Sequence, residues 1–379
     1  MDVSDIAADR SVAPDVRRRV ADPLVLAVGG YLFVRLVAIG LLWLWARSVH
    51  RPLSGVLGRK WDAVHYINLA QHGYDHGAGQ SNLAFFPLYP GLVRVVDAVS
   101  PGSTVAAGIA VAWVAGLVAA WGIYRLGAFL HDARTGIALA VLWGVIPHAV
   151  VESMAYSESL FTALCVWSLY CVLARRWVAA GMLCLLAGLS RPTATALIAA
   201  VCLAALVAVF ERPADWRPWA ALVLAPLGWV GYLAWVAHRV GRADGWFYVQ
   251  SHGWGSSFDG GRFTVTEGAR LLSKSAPLDP YLVTLVLVIA VALFVITLCD
   301  RQPWPLLVYS ALLLVTALGG AGYYHAKARF LVAAVPLLVP VAAGFAKART
   351  GTKVVLFAVL TLVSGYLGGY LLLVWTRSP

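Results

Sequence analysis

Apolar stretches of roughly 20 residues recur along the whole chain, and they constrain its fold more than any other feature. A stretch of about this length crosses the hydrocarbon core of a bilayer as an α-helix. Hydrophobic residues make up 61% of the chain and charged residues only 12%, whereas a soluble domain averages about 25% charged residues. Because lipid offers the backbone no hydrogen-bond partners, each spanning segment must be a helix. The sequence therefore predicts an all-α, polytopic membrane protein.

The apolar segments predict about eleven transmembrane helices, with a range of about 10 to 12 because the fifth segment is short. The first segment is too long for the apolar region of a cleaved signal peptide. Two long polar loops, at 47–103 and 239–278, interrupt the series. The predicted spans cover approximately 24–46, 104–129, 136–150, 156–173, 177–190, 192–210, 218–238, 279–298, 304–320, 329–346 and 354–375.

The distribution of cations predicts the orientation. Residues 1–20 are polar and are interpreted as a cytoplasmic tail, and residues 21–379 as a single transmembrane domain. Every short loop on the side of this tail is basic, as cytoplasmic loops are. Both long loops then lie on the extracytoplasmic side. The net charge of +11 is scattered over span ends, so it does not predict a nucleic-acid partner.

The five cysteines all lie within apolar runs. This placement argues against a disulfide framework and against a zinc site.

The first long loop carries a dense group of polar side chains in the run WDAVHYINLAQHGY, residues 61–74. If this run is a helix, Asp62 shares a face with His65 and Tyr66, and the helix can lie along the membrane surface. A carboxylate at the lipid–water boundary suits general-base chemistry. An alternative that the residues leave open is that Asp62 caps the helix N-terminus.

The run AFFPLYP, residues 84–90, ends the same group. Its two prolines break a helix and favour an extended or kinked path. Phe86 and Tyr89 fit an interfacial aromatic belt; alternatively, they stack on a sugar or guide a lipid chain.

Two carboxylates, Glu152 and Glu158, flank a turn between the third and fourth predicted spans, near Tyr156. They are candidates for binding sugar hydroxyls, a metal or a proton, and Glu158 also suits the start of a helix dipole. Four cations are candidate phosphate ligands: Arg35 within the first span, Arg191 at a break before a proline, and Lys327 and Arg329 near the start of a late span. A structural ion pair is the alternative for Arg35.

Under the predicted topology, acids, cations and aromatic residues from four separate motifs converge on one membrane face. This combination fits group transfer from a lipid-phosphate donor. A transporter or flippase of lipid-linked sugars is the alternative from another class, and it predicts polar residues spread over several spans. A non-catalytic, lipid-binding membrane subunit is a third.

Four sequence elements together resemble the PIG-V family of mannosyltransferases. They are Arg35, Trp61-Asp62 with Gly73-Tyr74 downstream, the AFFPLYP run and the Tyr156–Ser159 run. The segment from Lys327 to Pro336 looks like the family's late basic-aromatic-proline motif. The resemblance implies a GT-C glycosyltransferase fold, with a large first extracytoplasmic loop that carries short amphipathic helices. It also implies a polyprenyl-phosphate-mannose donor, transfer on the extracytoplasmic face and an inverting mechanism.

Carried onto this chain, the resemblance makes Asp62 the catalytic base, which takes the proton of the acceptor hydroxyl. The donor phosphate is then expected to contact Lys327, Arg329, Arg191 or Arg35. Cations in these positions would make a metal unnecessary, although a divalent metal is left open. The expected substrate-binding residues are Trp61, His65, Tyr66, Phe86, Tyr89, Glu152, Tyr156 and Glu158.

The chain departs from the wider pattern at two points. Many GT-C enzymes carry paired acids in this loop, whereas Trp61-Asp62 has one, and Gln80-Ser81-Asn82 stands where eukaryotic relatives tend to have an acid. The Ala- and Arg-rich composition suggests a high-GC bacterium. We therefore expect a multi-pass protein of the bacterial cytoplasmic membrane, with membrane lipids around it and a lipid, glycan or protein acceptor rather than a GPI anchor.

Overall fold

The computed structural model describes residues 22–77 and 79–379. The predicted cytoplasmic tail, residues 1–20, lies outside the described residues. Helices dominate the described part of the chain, and a two-residue strand pair is the other regular element found there. The α-helices are α1 (Pro23–Ser48), α2 (Leu53–Gly58), α3 (Asp62–His72), α4 (Leu88–Val99), α5 (Thr104–Leu130), α6 (Ala133–Trp143), α7 (Glu158–Leu173), α8 (Trp177–Gly188), α9 (Thr195–Glu211), α10 (Trp216–Val240), α11 (Gly245–Tyr248), α12 (Arg262–Ser273), α13 (Leu278–Cys299), α14 (Trp304–Gly319), α15 (Lys327–Phe330), α16 (Val339–Lys347) and α17 (Thr350–Gly369).

Each predicted span contains a helix, which confirms the helical, multi-pass membrane class. Within the described ranges, six helices are long and apolar enough to cross a membrane. They are α1, α5, α9 with the 3-10 turn before it, α10, α13, and α17 with the helical turn after it. Helices α6, α7, α8 and α14 are apolar but have only 10–17 residues, fewer than the roughly 20 that a full crossing needs. The count of eleven crossings therefore stays a prediction.

The late basic segment forms a broken helix. Residues Tyr324–Ala333 and Val335–Lys347 meet at an angle of 79°, and the pair would make a seventh crossing if it is one span. Pro336 follows the break and has no N–H to continue a helical ladder. The bend brings the short helix α15, with Arg329, into the protein interior.

Two apolar clusters meet at α7. One cluster forms around α1, α5 and α6, and the other around α8, α9 and α14; side chains of α7 belong to both. Helices α8 and α10 approach very closely, because a Cβ on Gly228 would lie only 2.0 Å from the Leu185 carbonyl oxygen. Small residues allow such close packing in membrane helices, where van der Waals contact drives association. The N-terminus of α7 is thereby held at a fixed place between the clusters.

The two long loops are folded. The first contains α2, α3 and α4, so it carries short helices as predicted. The second contains α11, a π-helical turn at Val249–Gly253, strand β1 (Ser257–Phe258) and α12. Strand β1 pairs antiparallel with β2 (Gly320–Ala321), just after α14. This pairing ties the second loop to the segment that leads into α15.

The AFFPLYP run takes a kinked path. Phe85 is extended, and α4 begins at Leu88 with Pro90 in its first turn. A proline is tolerated there because the first N–H groups of a helix have no intrahelical partner.

Candidate functional site

A cavity of about 620 Å³ lies between the two long loops. Its wall combines residues of α3, the Phe85-Phe86 segment, the turn at 190–195, the second loop and α15. Five of the residues expected at the site line it: Asp62, Tyr66, Phe86, Arg191 and Arg329. Residues that are far apart in the sequence therefore meet at one cavity.

Asp62 begins α3 and faces Arg329. Its Oδ2 lies 2.8 Å from Arg329 Nη2, and its side chain is 24% exposed. The residue before it, Trp61, occupies the N-cap position with a positive φ of 48° and makes no side-chain capping bond. A positive φ is strained for a residue with a side chain. The capping interpretation of Asp62 therefore does not hold: the carboxylate pairs with a buried guanidinium instead.

Glu158, the first residue of α7, holds two arginines together. Its Oε1 lies 2.6 Å from Arg191 Nη1 and 3.3 Å from Arg329 Nε. Arg191 also donates to Ser157 Oγ at 3.2 Å, and this hydroxyl lies 2.8 Å from Tyr66 Oη. Direct polar contacts therefore join three separate parts of the sequence, at 61–66, 157–158 and 191.

Arg329 is the centre of this network. Besides its two carboxylate partners, it donates to Ser378 Oγ at 3.1 Å. Its guanidinium also lies over the rings of Tyr156, at 5.2 Å, and Phe330, at 5.8 Å. Planar stacking and several fixed donors suit a guanidinium to a buried site that recognises anions. Tyr156 itself is fully buried behind Arg329 and supports it rather than lining the cavity.

The second loop supplies an aromatic and polar wall opposite the ion cluster. This wall includes Trp246, Tyr248, Gln250, His252 and Trp254. Trp254 Nε1 donates to the Ser81 carbonyl at 2.9 Å, which anchors the wall to the first loop. The β1–β2 pairing further ties this loop to the segment that leads into α15, so its aromatic residues stay on the cavity wall.

His65 lies one layer behind the cavity. It stacks on Phe85 with ring centroids 5.0 Å apart, and Trp254 meets its edge at 4.9 Å. Burial lowers the pKa of His65, although the nearby Asp62 carboxylate opposes this effect. His65 therefore helps to position the aromatic wall and does not touch the cavity.

Asp75 organises the loop that presents the Phe85-Phe86 segment. Its carboxylate accepts from the N–H of Gly77 at 2.9 Å and of Asn82 at 2.7 Å, and from the Ser81 hydroxyl. Burial opposes ionisation, but these hydrogen bonds outweigh it and hold the pKa of Asp75 below its usual value. Sequence reasoning gave Asp75 no role; the Asp-x-Gly spacing of an Asx turn was the available signal.

Lys327 does not fit the predicted role of a phosphate ligand. Its Nζ donates to the carbonyls of Ala317, at 2.8 Å, and of Gly320. Lys327 as a whole is only 2% exposed. It thereby caps the C-terminal end of α14, where a cation satisfies carbonyls that have no helical partner. Lys327 is absent from the cavity wall, and its donors are already occupied.

Arg35 and Glu152 form a separate buried pair and also do not fit their predicted roles. Arg35 Nε lies 3.8 Å from Glu152 Oε2 with both side chains almost fully buried. Arg35 also donates to Ser153 Oγ at 2.8 Å and to the Gly144 carbonyl at 3.3 Å. Neither residue lines the cavity. The alternative of a structural ion pair, which braces α1 against the turn before α7, describes them better.

Two other expected substrate-binding residues lie behind the cavity wall. Tyr89 is fully buried, and its hydroxyl donates to the Gly108 carbonyl at 2.8 Å. Trp61 is partly buried, with Lys60 Nζ 4.9 Å from its ring centroid. Both support the first loop on α5 and its neighbours.

No group of three or more His, Cys, Asp or Glu side chains suited to a metal occurs within residues 22–77 and 79–379. The expectation that no metal is needed stays a prediction.

The sequence comparisons bear on the same part of the chain. Residues 43–223 match the family model described as mannosyltransferase (PIG-V). Over residues 43–223 the chain is therefore similar to the PIG-V family. GPI alpha-1,6-mannosyltransferase 2 of Mus musculus is 31% identical over 129 residues, which are 31% of this chain and 26% of the mouse protein. The protein of the same name from Rattus norvegicus matches with the same identity and coverage. The chain thus spans about a quarter of the length of these two relatives.

Among solved structures, two archaeal proteins show a distant likeness. The apo oligosaccharyltransferase of Archaeoglobus fulgidus aligns with a TM-score of 0.49 and 12% identity, over 91% of this chain and 56% of that one. The oligosaccharyltransferase AglB of the same organism, in complex with an inhibitory peptide and a dolichol-phosphate, aligns with a TM-score of 0.44 and 13% identity, over 90% and 55% of the two chains.

The PIG-V segment contains Asp62, Glu158 and Arg191, but Arg329 lies beyond it. One of the two cations in the cluster therefore comes from outside the matched residues, and its contacts with Asp62 and Glu158 are seen only in the tertiary structure.

Proposed function

We propose that this protein is a PIG-V-like membrane glycosyltransferase that transfers mannose from a polyprenyl-phosphate-mannose donor to a hydroxyl of a glycan, lipid or protein acceptor. The observation that carries the proposal is the cluster of Asp62, Arg329, Glu158 and Arg191, in which Asp62, Arg329 and Arg191 line one cavity and Glu158 pairs with both arginines. It combines a candidate base with two guanidiniums that can bind a phosphate. The PIG-V relationship supports mannose as the sugar and a GT-C arrangement of the helices.

In the proposed reaction, Asp62 takes the proton of the acceptor hydroxyl, and the hydroxyl oxygen attacks the anomeric carbon of the mannose. The bond from that carbon to the phosphate oxygen breaks, and its electron pair leaves with the polyprenyl phosphate. Attack opposite the leaving group inverts the anomeric centre. Arg329 and Arg191 stabilise the negative charge that grows on the leaving phosphate.

The remaining cavity wall suits the other parts of the two substrates. Phe258 and Phe330 give it apolar surface beside the arginines, which fits the first isoprene units of the donor. The second-loop residues Trp246, Tyr248, Gln250 and His252 combine flat aromatic faces with amide and imidazole groups, which fits an acceptor sugar. We place this cavity on the extracytoplasmic face of a bacterial cytoplasmic membrane, on the basis of the basic short loops.

The test uses purified protein in nanodiscs with radiolabelled polyprenyl-phosphate mannose and a panel of mannoside and lipid acceptors. We expect wild-type transfer and a loss of about 100- to 10,000-fold in Asp62→Asn, the usual contribution of a general base. Asp244→Asn is the matched control, because Asp244 lines the same cavity but pairs with Arg242. Wild-type transfer with an unimpaired Asp62→Asn would exclude Asp62 as the base, and wild type that neither binds nor uses the donor would contradict the proposed donor.

A further inference from the structure

The ion cluster at the cavity is electrically balanced before any ligand binds. Asp62 and Glu158 contribute two negative charges, and Arg191 and Arg329 contribute two positive charges, all within direct contact. Arg329, Glu158 and Arg191 have side chains that are only 6%, 4% and 9% exposed. A phosphodiester that enters this site adds one negative charge, and both arginines of the described cluster already have carboxylate partners. An uncompensated buried charge is strongly unfavourable, so one of the carboxylates has to give up its guanidinium.

The two carboxylates differ in how firmly they are held. Glu158 contacts both arginines, is 4% exposed, and sits at the N-terminus of α7, where the helix dipole favours a negative charge. Among the described residues, Asp62 forms an ion pair with Arg329 alone, and its side chain is 24% exposed. It also belongs to a short helix of the first loop rather than to a long helix between two apolar clusters. Asp62 is therefore the carboxylate that an incoming phosphate displaces at lower cost.

On the basis of the proposed function, we propose that the donor phosphate replaces Asp62 as the partner of Arg329, and that this exchange releases Asp62 to act as the base. In the absence of donor, Arg329 Nη2 is paired with Asp62 Oδ2, the oxygen that would accept the proton of the acceptor hydroxyl. Once the phosphate takes the guanidinium, that oxygen faces the cavity and the acceptor hydroxyl. The donor must then bind before proton transfer, and Arg329 couples the two events.

The charge balance of the step is consistent with this exchange. Before reaction, Asp62 and the phosphodiester each carry one negative charge. Afterwards Asp62 holds the acceptor proton and is neutral, while the polyprenyl phosphate carries two negative charges beside Arg329 and Arg191. Loss of the product phosphate and of the proton on Asp62 allows the Asp62–Arg329 pair to form again.

The exchange predicts an unusual separation of binding from turnover. Asp62→Asn removes the competitor for Arg329, so the variant should bind the donor about three- to tenfold more tightly than wild type while transfer is lost. A base that does not compete with the phosphate would leave the dissociation constant unchanged. A residue that holds the donor by hydrogen bonds would weaken binding when altered.

The experiment measures the dissociation constants of polyprenyl phosphate and of polyprenyl-phosphate mannose for nanodisc-embedded protein by calorimetry. Asp244→Asn is the control for the loss of one negative charge in the same cavity, and its dissociation constants should stay within about twofold of wild type. An Arg329→Gln background supplies a second control: there, Asp62→Asn should no longer tighten binding. Asp62→Ala replaces Asp62→Asn if the latter does not fold, as judged by its thermal unfolding midpoint.

The outcomes separate the two proposals. If wild type binds and transfers mannose but Asp62→Asn binds the donor equally or more weakly, the exchange is wrong and the proposed function stands. Equal tightening in Asp244→Asn, or tightening that persists without Arg329, would also overturn the exchange. Wild type that binds neither lipid phosphate would overturn the proposed function together with the exchange.

Discussion

Glu158 Oε1 lies 2.6 Å from Arg191 Nη1, at the junction of three chain segments. Glu158 opens α7, Arg191 precedes the turn that begins α9, and Arg329, on the same carboxylate oxygen, belongs to the broken late helix. One carboxylate therefore fixes the relative positions of both cations on the cavity. Its role is to position the groups that we propose bind the donor phosphate.

Replacing Glu158 should damage both stability and donor binding. Glu158→Gln keeps the size of the side chain but leaves two buried guanidiniums with less counter-charge, and breaking a buried pair costs about 3–5 kcal/mol. We expect a clearly lower thermal unfolding midpoint and a donor KM that changes by at least about tenfold. The matched control is Glu211→Gln, because Glu211 pairs with Arg175 on the surface, where an ion pair contributes about 1 kcal/mol or less. If Glu158→Gln keeps the unfolding midpoint and the donor KM of wild type, Glu158 does not position the two arginines.

Lys327 should matter for stability and not for the donor. Lys327→Met keeps the length and the apolar stem but removes the N–H donors that reach the carbonyls at the end of α14. Unsatisfied buried carbonyls cost about 1–3 kcal/mol. We expect a lower unfolding midpoint and, in the protein that remains folded, a donor dissociation constant within about twofold of wild type. A large loss of donor affinity at unchanged stability would restore Lys327 as a phosphate ligand.

His65 should make the protein sensitive to acid. Burial lowers the pKa of His65 from its ordinary value of 6.5. Just below pH 6.5, His65 therefore binds a proton in the unfolded chain more readily than in the native protein. Its contribution to stability is fully present above about pH 6.5 and is lost as the pH falls through the ordinary pKa toward the lower folded one. His65→Phe keeps the stacking on Phe85 and removes the titration.

The measurement compares unfolding midpoints at pH 8 and pH 5.5. We expect wild type to lose more stability between these two conditions than His65→Phe does. An identical loss in both proteins would assign the acid sensitivity to other groups. His72→Phe is the control, since His72 ends the same helix but lies exposed at its C-terminus.

Part of the site could be predicted because its residues are local in sequence. Asp62, Tyr66 and Phe86 lie within one loop, and the polar group between two apolar segments marks that loop directly. Other predictions disagreed with the structure because they depended on partners that are distant along the chain. Lys327 and Arg329 are two residues apart with the same charge, yet one reaches back to α14 and the other reaches Asp62.

The amino-acid sequence alone determines that this is a helical membrane protein, because apolar segments in lipid have no other way to satisfy their peptide groups. It also carries the similarity of residues 43–223 to the PIG-V family and the position of Asp62 in the first long loop. Only the tertiary structure decides which charges meet. The 79° break before Pro336 carries Arg329 to Asp62 and Glu158, while the packing of α1 against the turn before α7 encloses Arg35 with Glu152. The sequence specifies the sign of each charged side chain. Which of these side chains form buried ion pairs depends on distances that the packing of the helices sets.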